Sequence, residues 1–183
     1  QGKTLLDVYG EIELPLIPIL FRMEERGIRL NTEAFKKMSD EMTAELGILE
    51  NQIYSFAGKT FNINSPKQLA EVLFVDLKIP TTHIKKNKTG ISTASTELEK
   101  LRADYPIVAL IEQNRELFKL KTTYLDALPK LVDAHSRVHT TYHQTIAATG
   151  RLSSTDPNLQ NIPARQAWSE RIRGAFEAES GQV

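Results

Sequence analysis

Residues 31–57 read NTEAFKKMSDEMTAELGILENQIYSFA, and the spacing of their apolar side chains decides the fold class. Phe35, Met38, Met42, Leu46, Leu49, Ile53 and Phe56 recur at intervals of three and four. That repeat places side chains along one face of an α-helix. Asn31 offers a side-chain cap for the first turn, and Gly58 offers the left-handed position that closes the last. At the rise of an α-helix, such a segment is a rod of roughly 40 Å. It is long for a small domain.

Working outward, residues 7–26 predict a first helix with Ile12, Leu16, Ile19, Leu20 and Met23 on its apolar face. Pro15 and Pro18 predict a kink or a late start, and Gly27 ends the segment. On the other side, Ser65-Pro66-Lys67-Gln68 has the form of a capping box and predicts a short helix to about Phe74. Residues 80–95 (PTTHIKKNKTGISTAS) are polar, basic and rich in hydroxyls, which predicts an exposed loop. A short helix is expected over 96–103. Pro106 then opens a second long helix with Ile107, Leu110, Ile111, Leu117, Leu120, Tyr124 and Leu128 on its apolar side. Two long helices separated by a small polar segment imply an antiparallel pair with a loop-rich tip.

After Pro129 the pattern changes. Arg137 to Ile146 (RVHTTYHQTI) places Val138, Tyr142 and Ile146 on one face at a period of two, which predicts a strand. A turn-rich stretch, a short helix near 165–173 and a strand over Ala175 to Ala178 follow. The fold class is mainly α with a small β portion.

Composition narrows the function classes. The 183 residues carry 23 basic and 23 acidic side chains, so no strong overall field selects a partner. The distribution is uneven. Residues 1–58 hold 6 basic and 10 acidic side chains, net −4, and residues 59–183 hold 17 and 13, net +4. A nucleic-acid-binding half and ordinary scatter over solvated faces both account for that. No apolar run of about 18 residues predicts a membrane span. The start lacks the charge-then-apolar pattern of a signal peptide. The absence of cysteine excludes disulfides and thiolate metal sites and suits a cytoplasmic protein.

Thr149 to Pro163, TGRLSSTDPNLQNIP, concentrates hydrogen-bonding groups: Arg151, Ser153, Ser154, Asp156, Asn158, Gln160 and Asn161. The guanidinium, amides and hydroxyls among them are groups that bind minor-groove acceptors, sugars and phosphates. They equally form Asx-turns that satisfy their own backbone. Asn62, Asn64 and Ser65 precede a helix N-terminus, where a phosphate binds well and where Ser65 also serves as a plain cap. Arg115, Lys119 and Thr122 make a polar stripe on the second long helix. It suits phosphate tracking, or a solvent face with an Arg115–Glu112 or Lys119–Glu116 pair. Lys88, Thr89, Ser92 and Thr93 lie in the basic 80–95 segment. His139 and His143 lack a metal-ligand pattern around them.

The fifteen-residue stretch TGRLSSTDPNLQNIP resembles the signature that opens the palm of bacterial family A DNA polymerases. Flanking segments resemble the same family in the same order: IELPLIPILFRMEERGI, FNINSPKQLAEVLF, KTGISTASTELEKL, PIVALIEQNRELFKLKTTYLDALP and ERIRGAF. The resemblance implies a lead-in helix from a preceding domain over 1–30, a thumb over 31–130 and the N-terminal part of the palm over 131–183.

By the same resemblance, Arg151 reaches the minor groove at a primer terminus. Asn158 and Gln160 contact the duplex nearby, and Arg165 contacts the primer strand. The segment with Lys88, Thr89, Ser92 and Thr93 resembles the family's tip loop against the duplex backbone. The implied partners are primer–template duplex DNA and the palm and fingers of the same polymerase, with no membrane. The implied activity is that of a DNA-directed DNA polymerase, a nucleotidyltransferase of replication and repair.

No residue here matches the family's metal-binding aspartates. Mg²⁺ is therefore expected in the full-length enzyme and not in this fragment, and the isolated chain is expected to be inactive. The rival reading is a non-catalytic helical domain for protein interaction or scaffolding.

Overall fold

The computed structural model describes residues 4–88, 90–163 and 167–178. The chain divides into two compact units, Met38–Thr123 and the combination of Gln1–Lys37 with Tyr124–Val183.

Helix α3, Thr32–Ala57, is the element expected from residues 31–57, and most of it belongs to the first of these units. Asn31 accepts from the Ala34 backbone N–H at 2.9 Å, which caps the first turn. Gly58 takes φ 69° just past its end. Met38, Met42, Leu46, Leu49 and Ile53 are buried, whereas Phe56 is 52% exposed. Phe56 holds the same angular position as the buried Met38, five turns earlier, so its exposure marks where cover over this face ends and not a change of face. Tyr54 covers the end of the helix instead, packing edge-on against Phe61 at 5.7 Å and donating to the Phe61 carbonyl.

Helix α4, Pro66–Ala70, runs on through a π-helical turn over Glu71–Asp76. Ser65 accepts from Gln68 N at 3.4 Å, but the returning bond expected of a capping box goes elsewhere. Gln68 Oε1 accepts from Asn62 N at 2.7 Å, because Ser65 N already donates to the Asn62 carbonyl.

Residues 80–95 correct the loop expectation. They contain an antiparallel hairpin, β2 Lys86–Asn87 with β3 Gly90–Ile91, and Ile84, Ser92 and Thr93 are buried. Helix α5, Ser95–Leu98, continues as a 3₁₀ turn over Glu99–Leu101. Helix α6, Pro106–Leu120, extends through a π-helical turn over Lys121–Leu125 and stops short of the expected Leu128.

Ile53, Ile63, Leu69, Leu73, Leu98, Ile107, Val108 and Ile111 share one core, which joins α3, α4, α5 and α6. Each such side chain stabilises the fold by roughly 1.5–3 kcal/mol. The charged faces of the helices are left outward.

In the other unit, α1 Leu5–Val8, a π-helical turn over Tyr9–Glu13 and α2 Leu14–Arg26 follow one another without a break. The irregular turn lies just ahead of Pro15, and Pro18 sits inside α2. The expected apolar face is not covered. Leu20 is buried, but Ile12, Ile19 and Met23 are about half exposed. Helical periodicity shows that a face can be covered, and among the described residues little lies against this one.

Strand β1, Ile28–Leu30, was not expected. It forms the centre of a three-stranded antiparallel sheet between β4 Arg137–Val138 and β7 Phe176–Glu177. The strand expected over 137–146 is two. After β4 the chain turns at His139 and Thr140, and β5 Thr141–His143 pairs instead with β6 Ser153–Thr155. Ile146 is accordingly 71% exposed. Helix α7, Ala167–Gly174, corresponds to the helix expected near 165–173, whose first two positions lie outside the described residues. Ile172 is buried, and Phe35 meets Phe176 edge-on at 5.8 Å.

Candidate nucleic-acid interface

Within Met38–Thr123 an open groove of about 730 Å³ gathers six of the residues singled out from the sequence. They are Asn64, Ser92, Thr93, Arg115, Lys119 and Thr122, together with Pro66, Asn87, Ile91, Ala94 and Phe118. Three separate stretches of chain thus converge: the start of α4, the β2–β3 hairpin and the outer face of α6.

Their states differ. Lys119 is exposed, and its ammonium makes no ion pair among the described residues. Arg115 is half-buried and does not make the Glu112 pair considered above. Its Nη1 donates to the Thr93 carbonyl at 2.6 Å and its Nη2 to Thr93 Oγ1 at 3.5 Å. Burial pulls its pKa below the usual value, yet a guanidinium stays protonated in proteins. Glu112 faces Arg102 at 3.7 Å instead. Thr122 donates back to the Phe118 carbonyl at 2.8 Å. Ser92 and Thr93 are buried, which corrects their assignment to an exposed loop. Ser92 Oγ accepts from Ala94 N at 3.3 Å, so both residues shape the groove more than they project from it.

At the groove's edge, Asn62 Oδ1 accepts from Asn64 N at 2.9 Å, and Ser65 caps α4. Lys88 is exposed on the hairpin beside Lys85 and Lys86, while Thr89 lies outside the described residues. Asn87 and Phe118 were missed in the sequence. Phe118 is legible in retrospect, since positions 115, 118, 119 and 122 fall on one helical face.

The second candidate set lies in the other unit. The stretch read as a polar loop contains β6, and Ser154 within it is buried. Arg151 precedes the strand, exposed and without a partner among the described residues. Asn158 Oδ1 accepts from Gln160 N at 3.0 Å and from Asn161 N at 3.2 Å, the Asx-turn arrangement. Its amide nitrogen stays available. Gln160 is exposed and borders a hollow of about 460 Å³ with Ile28, Leu159, Ile162, Arg173 and Phe176. Arg165 lies outside the described residues.

His139 and His143 do not share a ligand. His139 bonds to the Glu24 carbonyl and to Asp133, and His143 bonds to Thr155 Oγ1. Among the described residues no three His, Cys, Asp or Glu side chains gather to hold a metal ion. Nor is any described helix long and apolar enough to cross a membrane.

Residues 32–183 match the sequence model of DNA polymerase family A. The chain belongs to that family. Family members in several bacteria resemble it closely. It is 46% identical over 177 residues to DNA polymerase I of Synechocystis sp., which covers 96% of this chain and 18% of that protein. It is 51% identical over 182 residues to the thermostable DNA polymerase I of Thermus filiformis, covering 98% and 22%. Among solved structures, the POL domain of Pol1 from M. smegmatis, in complex with DNA primer-template and dNTP, has a TM-score of 0.86 and 39% identity. That match covers 97% of this chain and 31% of the other. The chain spans about a fifth of the length of the curated relatives it matches.

Proposed function

We propose that this chain grips primer–template duplex DNA as the thumb and the opening of the palm of a template-directed DNA polymerase. The groove beside α6 carries the reading. It gathers a lysine without an ion pair, a pre-placed guanidinium and amide side chains from three stretches of chain. Phosphate neutralisation by exposed cations supplies sequence-independent affinity, as a polymerase travelling over all sequences requires.

Arg151, Asn158 and Gln160 form the second contact, on the minor groove at the primer end. Minor-groove acceptors sit at similar places on all base pairs, so donors there test pair shape without reading sequence. The likeness to a polymerase domain in complex with DNA primer-template supports DNA as the partner. Catalysis by the whole enzyme needs metal-binding carboxylates from elsewhere in the polymerase, and Mg²⁺ belongs with them.

Titration of fluorescent duplex DNA at several salt concentrations tests the proposal. Log affinity is expected to fall linearly with log salt, and Lys119→Ala is expected to lower that slope by about one unit on every sequence alike. An unchanged slope removes the groove from the DNA path and favours a helical protein-interaction domain.

A further inference from the structure

We propose that Thr140 and Ser154 are positioning residues, two buried hydroxyls that hold the 155–160 turn in the shape that presents Asn158 and Gln160. The inference rests on the DNA-binding reading above and extends it to residues that touch no DNA.

Thr140 is 5% exposed and lies between β4 and β5, where the chain changes sheets. Its Oγ1 is 3.0 Å from the Thr155 carbonyl and 2.7 Å from the Pro157 carbonyl. A hydroxyl has one proton, so a single donor is shared between two acceptors on either side of Asp156. Ser154 is 1% exposed, and its Oγ accepts from Leu159 N at 3.2 Å. The first hydroxyl thus gathers the carbonyls entering the turn, and the second takes the N–H leaving it. Asn158 closes the same turn from inside through Gln160 N and Asn161 N.

Asp156 has φ 53°, in the left-handed region that is uncommon outside glycine, although aspartate enters it more readily than most residues. Such a conformation persists where its surroundings over-determine it, and residues held so cluster at binding sites. Here two buried hydroxyls and an Asx-turn fix five backbone groups over seven residues, 155–161. The side chains of Asn158 and Gln160 are left exposed. A rigid backbone beneath exposed amides is the arrangement a shape-testing contact needs, since a loose turn would accept a mispaired end by yielding.

Thr140→Val removes the hydroxyl and keeps the shape, and Thr140→Ser keeps the hydroxyl. Two readouts decide: amide hydrogen exchange at Leu159, Gln160 and Asn161, and affinity for a duplex with a recessed 3′ end. Thr140→Val is expected to speed exchange at those amides about tenfold, the loss of one buried hydrogen bond, with α3 and α6 unchanged. It is expected to weaken recessed-end binding severalfold, and Thr140→Ser is expected to restore both.

If Thr140→Val fails to fold, Ser154→Ala makes the same test from the other end of the turn. Unchanged exchange in either variant that folds overturns the bracket. Faster exchange with unchanged recessed-end affinity overturns the positioning role. Lys119→Ala is run alongside: an unchanged salt slope there sinks the DNA-binding reading itself, whatever the 159–161 amides do.

Discussion

Arg115 Nη1 donates to the Thr93 carbonyl at 2.6 Å, so this cation braces the groove wall before any ligand arrives. Lys119, one turn further along α6, is exposed and makes no such bond. Their substitutions should therefore separate. Arg115→Ala leaves a buried carbonyl without its charged donor and is expected to cost about 1–3 kcal/mol of stability. Lys119→Ala is expected to change stability by less than about 0.5 kcal/mol. Urea unfolding with a constant slope measures both. Equal effects would mean that the Thr93 bond does not hold the wall.

Asn114 is fully buried on α6, and neither its Oδ1 nor its Nδ2 has a hydrogen-bond partner among the described residues. A buried amide that has left water without replacement costs about 1–3 kcal/mol. Asn114→Leu, near in shape and free of that cost, is expected to raise stability by about 1–2 kcal/mol. Asn114→Asp is expected to lower it, because a charge would be buried without a counter-ion. A loss of stability on Asn114→Leu would show that a buried water serves the amide.

The capping segment before α4 allows a finer comparison. Ser65 Oγ lies 3.4 Å from Gln68 N, at the long end for a hydrogen bond, whereas Gln68 Oε1 lies 2.7 Å from Asn62 N. Gln68→Ala is expected to cost about 1 kcal/mol, and Ser65→Ala less. Thermal melting of the two variants ranks them. The reverse order would restore the serine as the main cap.

The contrast between these elements shows what the sequence carried. Helix α3 was legible end to end because its determinants are local: apolar spacing, Asn31 at one end and Gly58 at the other. Strand β1 was not. Three residues have no readable period, and its partners Val138 and Phe176 lie more than a hundred positions away. The same limit applied to residues 92 and 93. Their hydroxyl-rich composition suggests solvent, whereas Thr93 is held by Arg115, 22 residues on, and both residues are buried. In the candidate site the exposed donors could be named from a motif. The hydroxyls beneath them could not, since Thr140 meets Thr155 and Pro157 only through the strand pairing.

His139 sets a pH dependence whose sign follows from its contacts. Nδ1 lies 2.7 Å from the Glu24 carbonyl, and Nε2 lies 3.1 Å from Asp133 Oδ2. Both partners only accept, so both ring nitrogens are satisfied only when the ring is protonated. The Glu24 carbonyl first and Asp133 second raise its pKa above the ordinary value, against partial burial and the nearby positive charge of Arg137. A histidine with a raised folded-state pKa contributes stability that is complete below its unfolded pKa, about 6.5. That contribution is lost as pH rises through the higher folded value.

Asp133 behaves in the opposite sense. The Arg137 N–H first, then the His139 ring and the His135 N–H, hold its pKa down at about 2. Its contribution is complete above the unfolded carboxylate value and fades as pH falls toward about 2. Between the two windows the link from α2 to the 133–137 turn is at full strength. Urea midpoints measured from pH 5 to pH 9 are expected to fall on the alkaline side in the wild type, with the fall absent in His139→Gln. An NMR titration of the His139 ring supplies the direct check: a pKa at or below 6.5 would show that the imidazolium is not the bonded form.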